Sequence, residues 1–365
     1  MLNATRSVGI VCHFPPPPGG MPAQAEALAR GFESEGFRVR RIPTNLPGSR
    51  LDDVRGLRTL CRVPVFFFRL LAALPFVRNV HVMSCSGLSF FLFSLPAVLF
   101  GALAGKRVVL HYHGGEAGVF FRNWPRTVRF VARCAASVLV PSPFLRDVFA
   151  ALGIRAAMVP NTCDAARFAR RWARPNAPRF VAARHLEPVY NNACILRAFR
   201  LVLDQRPDAE LWVLGGGSER EALSALAVEL GLRGSIHFFG YVDNEKLPQI
   251  FGQSAYFVNA SLADNQPVSI LEAYAAGLPV ITSPAGGIPD IVEAGRTGLF
   301  FDPRDHAELA SKMLLLLAQP ELARTLAENG RRKVAEFSWP AAFHVLQQAY
   351  GLPGSAAPGA PQAAG

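Results

Sequence analysis

Apolar residues along this chain fall into short unbroken runs separated by longer segments in which they recur every three or four positions. That alternation is the mark of buried parallel strands joined by helices. In the first half, Ser7 to Cys12, Phe37 to Ile42, Asn79 to Met83, Val108 to Gly115 and 136–142 read as strands. Helices are expected from about Pro22 to Glu35, over 51–77, over 122–135 and in FLRDVFAALG. LSFFLFSLPAVLFGALAG (88–105) is uncharged and long enough for a membrane span. It contains Pro96 and leads through Lys106 and Arg107 straight into the next strand, so a buried or membrane-grazing helix is expected instead. The polar, proline-broken segment 169–178 then opens a second alternating series, with strands at Arg179 to Ala183, from 211, at 236–242, Ala255 to Val258, Leu278 to Thr282 and 298–301. Helices follow over 305–317 and 320–335, and FSWPAAFHVLQQAYG (337–351) is a last one. The pattern predicts two α/β units in tandem.

Residues 259–287 organise the second unit. A strand runs out into the polar stretch Asn259 to Gln266, and Pro267 is expected as the first residue of a helix that Gly277 stops. A helix N-terminus fed by a polar loop offers free N–H groups to a phosphate or a sugar oxygen. Asp264 and Glu272 frame that end. They are placed either to accept hydrogen bonds from a polyol or to serve as a cap and a solvated helix residue. Gly19-Gly20 after the first strand is either a tight turn or a close approach to phosphate; no GxGxxG occurs. His111 and His113 alternate with Tyr112 at a strand's carboxyl end, where open α/β sheets place ligands. LWVLGGGSEREAL supplies a second glycine turn, Gly215, Gly216 and Gly217.

Composition narrows the class. Six scattered cysteines with no CxxC read as buried thiols in a reducing compartment, neither disulfide nor zinc ligands. No D-x-D triplet marks a metal-chelated nucleotide, so no metal is expected. Residues 1–180 carry 24 Lys and Arg against 8 Asp and Glu, whereas 181–365 carry 14 against 19. The first unit is therefore basic, and its exposed apolar and basic residues suggest contact with an anionic membrane. Arg126, Arg129 and Arg133 are spaced to share one helical face. Aromatic and basic residues do not interleave as in a nucleic-acid module, and none is expected as partner. The start, MLNATRSVGIVCHF, has no h-region, which points to the cytoplasm, with peripheral attachment to the inner face of the membrane.

Asp264 and Glu272 stand eight positions apart, followed by LEAYAAGLPVI and GGIPDIVEAGRTGLFFDPRD. This segment resembles the E-x7-E region of family 4 retaining glycosyltransferases, also called glycosyl transferases group 1, which have the GT-B fold. His113-Gly114 is similar to the family's strand-end His-Gly, and RAAMVPNTCDAARF (155–168) to its P-N-x-x-D segment. The resemblance implies two Rossmann-like, doubly wound domains facing a cleft: 1–172 binding the acceptor and 179–336 the nucleotide sugar. A crossover helix (337–350) would pack back on the first domain, and 351–365 would form a disordered tail.

It also implies roles. His113, Asp264 and Arg184 would be catalytic. Gly20, Tyr190, Gly215 to Gly217, Tyr241, Asn265, Gln266, Val268, Ser269 and Glu272 would meet a UDP- or GDP-linked donor, with no other cofactor. Glu116 is the candidate acceptor contact. The reaction implied is metal-independent transfer with retention, by front-face attack, to a lipid-linked or glycan acceptor in cell-surface polysaccharide or glycolipid synthesis. Transfer to a small soluble acceptor and a non-catalytic sugar-nucleotide module are the alternatives. Two positions depart from the pattern: Asp264 replaces Glu, and Tyr190 with Asn191 replaces Lys-Gly. His185 or a cation of the first domain are the candidates to make up the missing charge.

Overall fold

The computed structural model describes residues 6–16, 19–46, 57–168 and 178–352. The first lobe is a six-stranded parallel sheet of β1 (Ser7–Cys12), β2 (Arg38–Pro43), β3 (Asn79–Ser84), β4 (Arg107–Tyr112), β5 (Ser137–Val140) and β6 (Ala157–Met158), in the order β2-β1-β3-β4-β5-β6. Its interleaved helices are α1 (Gly20–Ser34), α2 (Leu57–Ala73), α3 (Leu95–Leu103), α4 (Ala117–Asn123), α5 (Pro125–Cys134) and α6 (Pro143–Ala150). Strand alternation divides the core. Val80, Val82, Val108, Leu110 and Tyr112 pack under α2 to α6, while Val8, Ile10, Met83 and Val109 face α1. Ala25, Leu28, Ala29 and Phe32 recur at helical spacing along α1 and form its buried stripe.

The second lobe repeats the plan, with β7 (Arg179–Ala183), β8 (Glu210–Leu214), β9 (Ile236–Gly240), β10 (Tyr256–Asn259), β11 (Val280–Thr282) and β12 (Gly298–Phe300) in the order β12-β11-β10-β7-β8-β9, again all parallel. Helices α7 (Asn192–Gln205), α8 (Arg220–Glu229), α9 (Leu247–Gln253), α10 (Val268–Ala275), α11 (His306–Ala318) and α12 (Pro320–Lys333) cover its faces. The last helix, α13 (Trp339–Ala349), returns to the first lobe. Trp339 meets the Phe32 ring edge-on at 5.6 Å, and Arg107 Nε donates to the Ala349 carbonyl at 2.8 Å.

Several expected boundaries shift for identifiable reasons. The basic helix expected over 122–135 is two helices, because Pro125 cannot continue α4 and instead opens α5. All three arginines remain in α5, but Arg129 is half-buried and donates to the Leu152 carbonyl at 3.0 Å, leaving Arg126 and Arg133 exposed. α1 starts at Gly20, two residues before Pro22, so the glycine pair is the helix N-terminus itself. Pro267 is the N-cap of α10, not its first residue, with ψ of 117°.

The apolar run 88–105 becomes a short π-helical turn (Phe90–Ser94) leading into α3. Among the described residues no helix is long and apolar enough to cross a membrane. Cys12, Cys163 and Cys194 are buried, but Cys61, Cys85 and Cys134 are half-buried, contrary to the expectation for all six. The boundary at 169–177 and tail residues 353–365 lie outside the described residues.

Candidate functional site

The carboxyl ends of the two sheets face each other across a cleft, the place where open α/β sheets bind ligands. Polar bridges made by Asn265 and Gln266, and by Asp290 just beyond the 259–287 stretch, close it. Gln266 Nε2 donates to the Pro141 carbonyl at 2.9 Å, and its Oε1 accepts from the Asn161 amide at 2.5 Å. Ser142 Oγ donates to Asn265 Oδ1, and the Phe144 amide to Asp290 Oδ2 at 3.1 Å. Asn265 and Gln266, expected as donor contacts, thus turn their side-chain oxygens toward the first lobe. Asn161 sits in the P-N-x-x-D segment, which was the available signal for this junction; nothing local marks Ser142.

Asp264 sits at the centre, gripped through its backbone. Gly286 has φ of +54°, and a Cβ there would overlap the Asp264 carbonyl oxygen, which accepts from the Gly287 amide at 3.1 Å. From the opposite lobe, Gly115 packs directly onto the Asp264 backbone. Asp264 Oδ1 accepts from the Asn265 amide at 2.9 Å, and Oδ2 takes Arg184 at 2.6 Å and Ser261 Oγ at 3.3 Å. Two residues singled out separately in the sequence are therefore one nearly buried ion pair, with side chains 15% and 10% exposed.

Arg184 follows β7 directly, and its guanidinium lies 4.3 Å from the Tyr190 ring centroid. Tyr190 closes a 3-10 turn, and Asn191 after it has φ of +51°. Asparagine tolerates that left-handed geometry, so the turn survives replacement of a glycine. In place of a second cation, then, the site has an aromatic face under the first. His185 does not restore the charge, since burial and the Arg184 charge push its pKa below the ordinary value.

Gly215, with φ of +120°, lets the β8 turn lie against the Arg184 carbonyl, and Gly217 meets the Leu186 carbonyl in the same way. The Tyr241 ring covers Gly216 and is 54% exposed. These glycines are required by packing around Arg184, and only Gly215 reaches the cavity wall.

That cavity, about 110 Å³, is lined by Gly20 of the first lobe and by Arg184, Gly215, Tyr241, Ser269 and Glu272 of the second; Val268 also contributes. Arg184 Nε and Ser269 Oγ are buried there without partners among the described residues. Burial pushes the Glu272 carboxyl up to about 7, with Arg167 and Arg184 pulling it back. Arg167, from the first lobe's last turn, was not singled out from the sequence.

His113 lines a second, smaller cavity behind the Gly114-Gly115 turn. Burial lowers its pKa to about 4, so it is neutral. Glu116 is exposed at the start of α4. Among the described residues no three His, Cys, Asp or Glu side chains converge to hold a metal ion.

The profile of the family described as Glycosyltransferase Family 4 matches residues 18–167, and that of Glycosyl transferases group 1 matches 166–333. The chain is 28% identical over 350 residues to a GDP-mannose-dependent alpha-(1-6)-phosphatidylinositol monomannoside mannosyltransferase of Mycolicibacterium smegmatis, spanning 87% of this chain and 91% of that one. It is 31% identical over 163 residues to a D-inositol 3-phosphate glycosyltransferase of Corynebacterium jeikeium, over 43% and 39% of the two chains. Among solved structures, a sucrose-phosphate synthase of Thermosynechococcus elongatus superimposes with a TM-score of 0.75 at 18% identity, over 95% of this chain and 98% of that one. Anabaena HepE in complex with UDP-glucose gives 0.70 at 17%, over 94% and 99%.

Proposed function

The chain belongs to glycosyltransferase family 4, with the GT-B fold, and from that premise we propose that it is a retaining enzyme working without a metal ion. Its donor is a UDP- or GDP-linked sugar and its acceptor a lipid-linked or glycan hydroxyl, in cell-surface polysaccharide or glycolipid synthesis. The observation that carries this reading is the pair of unpartnered buried donors, Arg184 Nε and Ser269 Oγ, in one cavity at the head of α10. Buried polar groups are nearly always satisfied, so two unpartnered donors on residues that line one cavity call for an acceptor-rich, anionic group.

The chemistry assigned is balanced within donor and acceptor. The acceptor oxygen bonds to the anomeric carbon, the bond from that carbon to the diphosphate oxygen breaks, and the acceptor's proton ends on the departing diphosphate. Charge that develops on the diphosphate is met by the Arg184 guanidinium, the Gly20 amide and the first N–H groups of α10. Asp264, fixed by the Asn265 amide, holds Arg184 in place and presents its remaining lone pairs to sugar hydroxyls. Glu272 accepts from the ribose, and His113 stands beside the donor sugar.

A lipid-linked acceptor is favoured by the surface just beyond the carboxyl ends of β3 and β4. There Leu88, Val119 and Trp124 are 66%, 55% and 49% exposed, beside the exposed Arg122 and Arg126. Apolar anchors among cations suit an anionic membrane surface. Sedimentation with anionic vesicles at low salt tests this, and no binding would move the acceptor to the small soluble class. Nucleotide release from a panel of UDP- and GDP-sugars tests the main reading. Arg184→Ala and Glu272→Ala should each abolish most of the turnover, and undiminished release in both would overturn it. Donor binding with no transfer to any acceptor would support the non-catalytic alternative.

A further inference from the structure

A file of buried polar side chains crosses the first sheet toward His113, starting from the helix that returns from the second lobe. Tyr350, just past α13, has its hydroxyl 2.7 Å from His81 Nδ1. His81 Nε2 lies 3.1 Å from His111 Nδ1, and the His111 and His113 rings are 4.1 Å apart at their centroids. Tyr350, His81 and His111 are 4%, 0% and 4% exposed. Alternation in β3 and β4 puts both histidines on the face that α13 covers. Three histidines in a row on an otherwise apolar face are costly to bury, so their arrangement calls for an explanation.

The file has a direction. Tyr350's hydroxyl has no other partner among the described residues, so its proton must go to His81 Nδ1; the opposite sense would leave it unsatisfied in a buried site. His81 then carries its own proton on Nε2 and donates to His111 Nδ1. His111, in turn, is protonated on Nε2. Burial depresses the basicity of both rings far enough to keep them neutral, each with a single N–H.

His111 lines a cavity of about 20 Å³, whose wall also holds His113, Val159 and Asn161. His111 Nε2, His113 Nε2 and Asn161 Oδ1 are all buried without a well-formed hydrogen bond, although the Val159 carbonyl stands beside His111 and the Asn161 side chain beside His113. A space of this size fits one water molecule, and three polar groups are what such a water needs. A water that accepts from His111 Nε2–H has two protons left, one for Asn161 Oδ1 and one for His113 Nε2. A neutral imidazole that accepts at Nε2 carries its proton on Nδ1.

We propose that Tyr350 is a positioning residue for His113: by directing the Tyr350–His81–His111 file onto one buried water shared with Asn161, it holds His113 as the Nδ1–H tautomer. The role given to His113 rests on the reading above, but the tautomers do not. The helix that braces the two lobes is thereby linked to the sugar site by hydrogen bonds as well as by packing.

The test is Tyr350→Phe in the full chain, read by two-bond ¹H–¹⁵N correlation of the histidine side chains. In the unmodified protein His81 and His111 should be Nε2–H and His113 Nδ1–H. In the variant, His81, His111 and His113 should become tautomer mixtures together, and kcat should fall about tenfold, the rate equivalent of one hydrogen bond, with the donor KM unchanged. Phe343→Leu, on the same helix but outside the file, should lower the unfolding temperature and leave the tautomers alone. Unmodified protein with His111 protonated on Nδ1, or a Tyr350→Phe spectrum identical to the parent's, would overturn the proposal. If no donor is turned over by the unmodified protein, the function fails while the tautomers still decide this inference.

Discussion

Glu272 offers the sharpest test of how the cleft holds its donor. Its carboxyl is half-buried on α10, and burial raises its pKa from 4.5 to about 7 despite Arg167 and Arg184. At neutral pH about half of the molecules therefore carry a proton there. Ribose hydroxyls donating to Glu272 would favour the carboxylate and draw its pKa back toward the ordinary range. Donor binding should then release about 0.5 proton at pH 7, close to one at pH 6 and roughly 0.1 at pH 8. Below pH 7 the dissociation constant should weaken toward tenfold per pH unit, and above it flatten. Calorimetry of UDP or GDP binding in two buffers of different ionisation enthalpy measures the proton count directly. Glu272→Gln should remove the linkage while leaving the fold intact. Proton uptake would refute the ribose role, because it would mean that the diphosphate's charge dominates at Glu272. A count near zero at pH 6 and 7 in the parent protein would refute the reasoning as well.

Other expectations follow from the same geometry. Arg184→Ala or Asp264→Asn alone should cost about 3–5 kcal/mol in urea unfolding, since each leaves a nearly buried charge unpaired, whereas the double variant should lose at least 1 kcal/mol less than the sum. Additivity within about 0.5 kcal/mol would show that the pair is not coupled.

Acidification should destabilise the first lobe. His81 and His113, with pKa values near 3 and 4 in the fold against 6.5 unfolded, bind protons only in the unfolded chain between pH 6.5 and 4. Stability is therefore intact above pH 6.5 and falls below it by about 1.4 kcal/mol per pH unit per histidine. His111, whose pKa burial also lowers, adds in the same direction, while Glu272 has the opposite sign, losing stability as pH rises from 4.5 to 7, and cancels roughly one histidine's share. A urea midpoint that does not fall between pH 6.5 and 4.5 would contradict this.

Gly215→Ala should cost roughly 2 kcal/mol or more through its left-handed backbone and the Arg184 carbonyl behind it. Gly20→Ala meets no neighbour and should leave the urea midpoint unchanged while raising the donor KM. Equal midpoints for Gly215→Ala and the parent would discredit the packing argument.

Period and punctuation along the chain are local properties, and they were sufficient for most of the architecture. Buried parallel strands must be apolar on both faces, and helices between them must show a stripe, so the two sheets could be read from residue order. The E-x7-E-like segment and His113-Gly114 placed the candidate chemistry at strand ends for the same reason. Local pattern also misled where a single residue decides, as at Pro125, which splits one basic helix into two.

Tertiary structure alone decided what the polar residues face. No spacing rule connects Arg184 to Asp264, 80 positions apart, or shows that Tyr190 stacks beneath the arginine. Nor does one show that Asn265 and Gln266 bridge to the other lobe. Tyr350 lies 269 positions from His81, yet one hydrogen bond joins them. Such pairings depend on how two separately folded sheets dock, and docking is set by the sum of many contacts across the chain. A residue's own neighbourhood in sequence carries no trace of it.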